Sequence, residues 1–237
     1  MLRKKIFGTL HNEQFRHRSH EIVRVEALSD AVFAFSVSLL VAALEVPQTF
    51  DELKFILSGA IPFFCTVALV FLFWYQQNVF FRHYAVNDLY IIVLNLIYLA
   101  VILFYVYPLK FLFSLLLSSW TGLQLFPKAA EKHLQVITQH EFPSLIIIFS
   151  AGYFVIWILL YLMHRHALRL SKKLELNKYE TAYTKKETRG ALWNALVGLA
   201  AILFAVLHLE MLSGICYLLI PVLLFISNRI FLKQLRK

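Results

Sequence analysis

Residues 24–42 read RVEALSDAVFAFSVSLLVA: Arg24, Glu26, Ser29 and Asp30 crowd the start, and in the twelve residues that follow only Ser36 and Ser38 are polar. A helix of this length and apolarity is suited to a bilayer core about 30 Å thick, because about 20 residues rising 1.5 Å each cross it. Comparable apolar windows recur along the chain, giving spans at about 22–44, 55–75, 89–117, 144–163, 191–209 and 211–228. Irregular backbone cannot face lipid unsatisfied, so all six are predicted helices. The fold class is an all-α integral membrane protein with six transmembrane helices.

Composition agrees with this reading. The 237 residues are 60% hydrophobic and only 16% charged, whereas about a quarter of a soluble globule is charged. The abundant Phe, Leu and Ile likewise exclude a disordered chain. The net charge of +9 is informative through its placement. With six spans, one side carries 19 of the 23 Lys and Arg, including eight between Arg165 and Arg189. The other side holds Lys54, Lys110, Lys128 and Lys132. Basic residues mark the cytoplasmic face, so both termini are expected in the cytoplasm. Residues 1–21 then form a cytoplasmic N-terminal segment without the apolar core of a secretory signal, 22–232 the membrane domain, and 233–237 a cytoplasmic tail. The acidic balance on the outer side would concentrate cations, and it is equally what the positive-inside rule leaves behind.

Other features are plainer. Cys65 and Cys216 lie inside apolar runs and read as buried packing residues, not a disulfide. The stretch 164–189 is basic and studded with leucines, suiting either an interfacial helix or an extension of the fourth span. A short helix is expected over 129–140 in the outer loop. No internal duplication is visible, so each chain is one repeat and any symmetric pore needs several copies.

The first span is the unusual one. Arg24 and Asp30 are six residues apart, too far to pair along one helix, so they find partners on other helices or snorkel to the interface. Farther along, Phe35, Ser38, Leu39 and Ala42 fall at i, i+3, i+4 and i+7 and form one stripe. Several copies around an axis would stack rings of aromatic, hydroxyl and aliphatic groups, a pore that gates by dewetting. Helix packing is the alternative use of the same stripe.

The run from Arg24 through Leu28, Ser29 and Asp30 resembles the R-x-x-x-F-S-D signature of the transmembrane protein 175 family, the lysosomal potassium channels and their bacterial relatives. Phe73-Trp74-Tyr75-Gln76-Gln77 is similar to that family's W-x-x-H, and Asn95 followed by Tyr107-Pro108 adds to the likeness. The resemblance implies a potassium-selective cation channel in the bacterial inner membrane. It implies a homotetramer with the first helices around the pore and without the T-V-G-Y-G carbonyl filter. Phe35, Ser38, Leu39 and Ala42 become the pore lining, and Arg24, Ser29 and Asp30 form a network with Trp74, Gln77 and Asn95. In that network Asp30 is the buried acceptor, with Trp74 and Asn95 as donors. The partners implied are further copies of the chain, the lipid bilayer and monovalent cations. No cofactor, nucleic acid or metal beyond permeating K+ is implied.

Departures from the family pattern matter. Leu28 replaces the signature's Phe, and Gln77 replaces a titratable His. Phe35 stands where Ile or Leu is usual, a bulkier block, and Ala42 replaces a larger aliphatic residue and widens the outer end. Enzymatic chemistry finds no support. His164 and His166 point to different helix faces, that pair and His17/His20 both lie in basic juxtamembrane stretches where ligation would need further His or carboxylate partners, and no nucleophile or nucleotide motif is present. The alternative function is a secondary cation transporter or a proton-permeable leak protein, although the inverted repeats common in carriers are missing.

Overall fold

Several of the apolar stretches are bracketed by residues that start or stop helices, and these brackets help set the architecture. The computed structural model describes residues 15, 16, 18, 24–42, 46–123, 125–126, 135–138 and 140–235. Among them the helices are α1 (Arg24–Ala42), α2 (Phe50–Ser58), α3 (Ala60–Tyr84), α4 (Leu89–Thr121), α5 (Phe142–Arg169), α6 (Lys178–Val206), α7 (Glu210–Cys216) and α8 (Ile220–Leu235). No strand occurs among the described residues. The helices α1, α3, α4, α5, α6 and the α7–α8 unit are six elements long and apolar enough to cross a membrane. The protein is therefore an all-α membrane protein of six spans. The His17/His20 pair and most of the 129–140 stretch lie outside the described residues, and 135–138 are not helical.

Capping chemistry explains the boundaries. The Thr49 hydroxyl accepts from the Glu52 N–H at 3.2 Å to start α2, and the Asp88 carboxylate accepts from the Ile91 N–H at 3.0 Å to start α4. Helix α4 stops at Gly122, whose φ of 71° is one that side chains resist, and its N–H returns to the Ser118 carbonyl at 2.9 Å. Pro62 sits in the first turn of α3, and Pro221 follows the 3-10 turn Tyr217–Leu219 that interrupts the last span. At both places the missing N–H has no helical partner to lose.

Two helices run well past their apolar windows. Helix α3 continues from Tyr75 to Tyr84 because Gln77, Asn78 and His83, which end the hydropathic run, turn inward and are buried. Helix α6 begins at Lys178, ahead of the window at 191, because Asn177 and Glu180 make a reciprocal capping box. The basic stretch 164–189 is thus no single element. His164 to Arg169 finish α5, residues 170–177 turn, and Lys178 to Arg189 open α6.

The antiparallel pair α5 and α6 has the most extensive packing. Helix α4 lies on α5, and α8 on α6, while α1 rests on α3 and α4. Lipid supplies no hydrophobic drive between helices, so close fit and buried hydrogen bonds must hold them. Gly152 on α5 shows that fit, because a Cβ there would lie 2.2 Å from the Tyr105 ring on α4. Phe73, with no exposed surface, centres a ring cluster with Tyr105, Tyr153 and Trp157 at 6.3 to 6.5 Å. The buried tyrosine hydroxyls are satisfied: Tyr98 donates to the Phe73 carbonyl at 2.9 Å and Tyr105 to the Phe149 carbonyl at 2.7 Å. Cys216 is buried as expected, but Cys65 is exposed on α3, since that side of the helix packs on nothing within the chain.

Candidate functional site

Helix α1 has two unlike faces. Glu26, Ser29, Phe33, Ser36 and Leu40 recur at steps of three and four and are its buried residues. Phe35, Ser38 and Ala42 are exposed, and Leu39 is half-buried. At 3.6 residues per turn, the centres of these two sets lie about 150° apart. The stripe of Phe35, Ser38, Leu39 and Ala42 therefore faces away from the chain's own bundle, with the Phe35 ring 56% exposed. The Ser38 hydroxyl donates to the Ala34 carbonyl at 3.0 Å. Its lone pairs stay free on the uncovered side.

The opposite face is anchored. Ser29, Gln77 and Asn95, from α1, α3 and α4, are at most 1% exposed. The Gln77 amide donates to the Ser29 hydroxyl at 2.7 Å and to the Asn95 carbonyl oxygen at 2.9 Å. The Asn95 amide donates to the Ser29 hydroxyl at 3.0 Å, and Ser29 donates to the Val25 carbonyl at 2.8 Å. One donor and two acceptor sites of the hydroxyl are thereby filled, which closes a three-helix ring with no water needed.

Asp30 stands beside this ring and accepts from the Trp74 indole N–H at 2.7 Å. Two details depart from the arrangement that the family signature implied. Asp30 is exposed within the chain because it falls at the edge of the uncovered face, so its own chain does not bury it. Asn95 serves Ser29, one residue earlier and turned inward. Arg24 is exposed, and among the described residues it does not join the network. It lies on the uncovered side, about 9 Å along the axis from Asp30.

Three contributors escaped the sequence reading. Lys110 on α4 reaches the Leu40 carbonyl at 3.4 Å, placing an ammonium against the last described turn of α1. In sequence it is one lysine in a polar-poor run, with nothing to tie it to Leu40. At the other, basic end Asp88 contacts the His166 imidazole at 2.6 Å. Partial burial works against the ionised Asp88, yet the Ile91 N–H and His166 hold its carboxyl below the usual carboxylate range. The third contributor is Glu180, fully buried and met by Arg16 and Arg18. Its signal was the spacing Asn177-x-x-Glu180, which marks a helix start. Of the histidines considered for metal binding, His164 bonds the Leu160 carbonyl at 2.9 Å and His166 bonds Asp88.

Comparison with known proteins places this geometry. The family model described as Endosomal/lysosomal potassium channel TMEM175 matches residues 24–105, which hold α1, the anchor ring and Trp74. A protein named "Potassium channel" from Marivirga tractuosa is 32% identical over 242 residues, covering 99% of this chain and 98% of that protein. Among solved structures, a variant of the potassium channel MtTMEM175, in complex with a nanobody–MBP fusion protein, matches with a TM-score of 0.81. It is 31% identical, covering 94% of this chain and 99% of that one. A lysosomal potassium-selective channel TMEM175 homolog from Chamaesiphon Minutus has the same fold at a TM-score of 0.53. That chain is 21% identical, with 86% of this chain and 97% of the other covered.

Proposed function

Because the chain belongs to the TMEM175 potassium-channel family, to which its near full-length relative ties it, we propose that it is a potassium channel whose pore is lined by α1. The family comprises ion channels and not enzymes, and the chain is a multi-pass membrane protein. Beyond that, our reading is a homotetramer in the bacterial inner membrane with both termini cytoplasmic. Four copies of α1 surround the axis, and no carbonyl filter is used.

The observation that carries this reading is the uncovered stripe of α1, opposite a face fixed by the Ser29–Gln77–Asn95 ring. A helix held this firmly on one side and left bare on the other is built to meet copies of itself. Phe35 is the constriction, since four phenyl rings at one level form an apolar plug that water and ions leave. Ser38, one turn farther, supplies a hydroxyl ring where a cation emerging from the plug regains oxygen contacts. Ala42 leaves the far end wide, and Lys110 holds that end of the helix.

The test is cation flux through purified protein in liposomes with potassium, sodium or caesium, comparing wild type and Phe35→Ala. Potassium-selective flux that rises in the variant is expected. Flux that saturates and depends on a second ion would instead assign a carrier, and unchanged flux in Phe35→Ala would remove the constriction from that residue.

A further inference from the structure

The short stretch ahead of α1 is tied down at the basic end by more contacts than a connecting segment requires. Phe15 is buried, its ring stacked on His83 at 4.1 Å and set edgewise to Tyr84 and Tyr183. The Arg16 backbone N–H and Nε reach Glu180 Oε1 at 3.0 and 3.1 Å, while its Nη2 reaches Oε2 and the Glu175 carbonyl. Arg18 Nη2 donates to Glu180 Oε2 at 2.7 Å. Its remaining donors bond the Leu174 and His83 carbonyls, and its backbone N–H bonds the Arg82 carbonyl. Glu180 also accepts from the Asn177 N–H at 3.0 Å.

A fully buried carboxylate is costly unless it is paired and hydrogen-bonded, and here the arm supplies both ion pairs and most of the hydrogen bonds. With the arm gone, the Asn177 N–H is the donor left to the Glu180 side chain among the described residues. The arm leads into α1 after six residues, a reach of about 20 Å at full extension. The buried ring pins α1 at Ser29, so the turn ahead of it, where Glu26 is the one buried residue, is placed by what the arm leads it to.

We infer that Phe15, Arg16 and Arg18 form a latch on Glu180 that positions the basic end of α1 and thereby sets how readily the channel conducts. This rests on the pore-lining reading of α1. Arg16 and Arg18 act as positioning residues, remote from the permeating ion.

The latch is tested with Glu180→Gln, with Arg18→Gln, which leaves the capping box intact, and with their combination. Two readouts are taken on the full chain in liposomes: potassium flux per folded protein, and the mobility of a nitroxide on Ala27→Cys with Cys65 and Cys216 replaced by alanine. Each single variant should change flux by about threefold or more, and the combination no more than either single. The label should become more mobile in all three. A conducting wild type with flux and label unchanged in Arg18→Gln overturns the latch, as does a loss of thermal stability that leaves both readouts unmoved. A folded wild type that does not conduct counts against the channel reading, and the label then decides the latch alone.

Discussion

The Gln77 side chain spends one amide hydrogen on the Ser29 hydroxyl at 2.7 Å and the other on Asn95 at 2.9 Å, so a single residue of α3 joins α1 to α4. Replacing it by Leu keeps the volume and leaves the Asn95 oxygen and one Ser29 lone pair empty. Gln77→Leu should lose about 1 to 3 kcal/mol of stability, read by thermal unfolding in detergent. Gln77→His retains one donor and should lose less.

Asp30 and Trp74 form the second tie between α1 and α3. Asp30→Asn keeps an acceptor for the indole and removes only the charge, whereas Asp30→Ala removes both. If the carboxylate is structural, Asp30→Ala should lower the tetramer fraction in size-exclusion chromatography more than Asp30→Asn does. A normal oligomer with altered conduction in Asp30→Asn would instead give the charge a role toward the ion.

At Ser38 the hydroxyl is bonded to its own helix and still presents lone pairs outward. Ser38→Ala should reduce the potassium-to-sodium flux ratio by about fivefold, the factor that roughly 1 kcal/mol of lost oxygen contact carries. Ser38→Thr should preserve the ratio.

Gly152 is required by contact with a neighbouring ring. A methyl at this position meets Tyr105 at 2.2 Å, so Gly152→Ala should separate α4 from α5 and cost about 1 to 3 kcal/mol. Tyr105→Leu in the same chain should restore part of the loss, at the expense of the hydrogen bond to Phe149.

Asp88 gives a dependence on pH. Its folded carboxyl is held low, so the stability it contributes is present above the ordinary carboxylate value of about 4 and is lost as pH falls through the lower folded value. Asp88→Asn still caps α4. The gap in melting temperature between wild type and Asp88→Asn should therefore close as the solution is taken into acid.

The parts of this molecule that depend on local pattern were legible in the sequence. Nineteen residues of α1 declared a span, and the four-residue stripe at helical spacing marked the face that the chain leaves uncovered. Less legible was anything set by polar groups that turn inward. Gln77 and Asn78 end a hydropathic window yet continue α3, because hydropathy scores the side chain and ignores the partner waiting for it. The exposure of Asp30 depends on a rotation of about 100° from Ser29, too small a difference for composition to resolve. Cys65 could not be separated from Cys216 in sequence, since both sit in apolar runs and only tertiary packing divides exposed from buried. Arg16 and Arg18 lie more than 160 positions from Glu180, and no local pattern links them to it.

The bare side of α1 bears on how the protein is made. In the proposed homotetramer, a newly inserted chain that has yet to meet its copies presents the Ser38 hydroxyl and the edge carboxylate of Asp30 to lipid, surroundings that offer neither a partner. The orphan form is therefore the one that membrane quality control can recognise. Diluting the protein into excess lipid should loosen α1 while α5 and α6 stay paired, so its half-life in a cell rises with its level of synthesis.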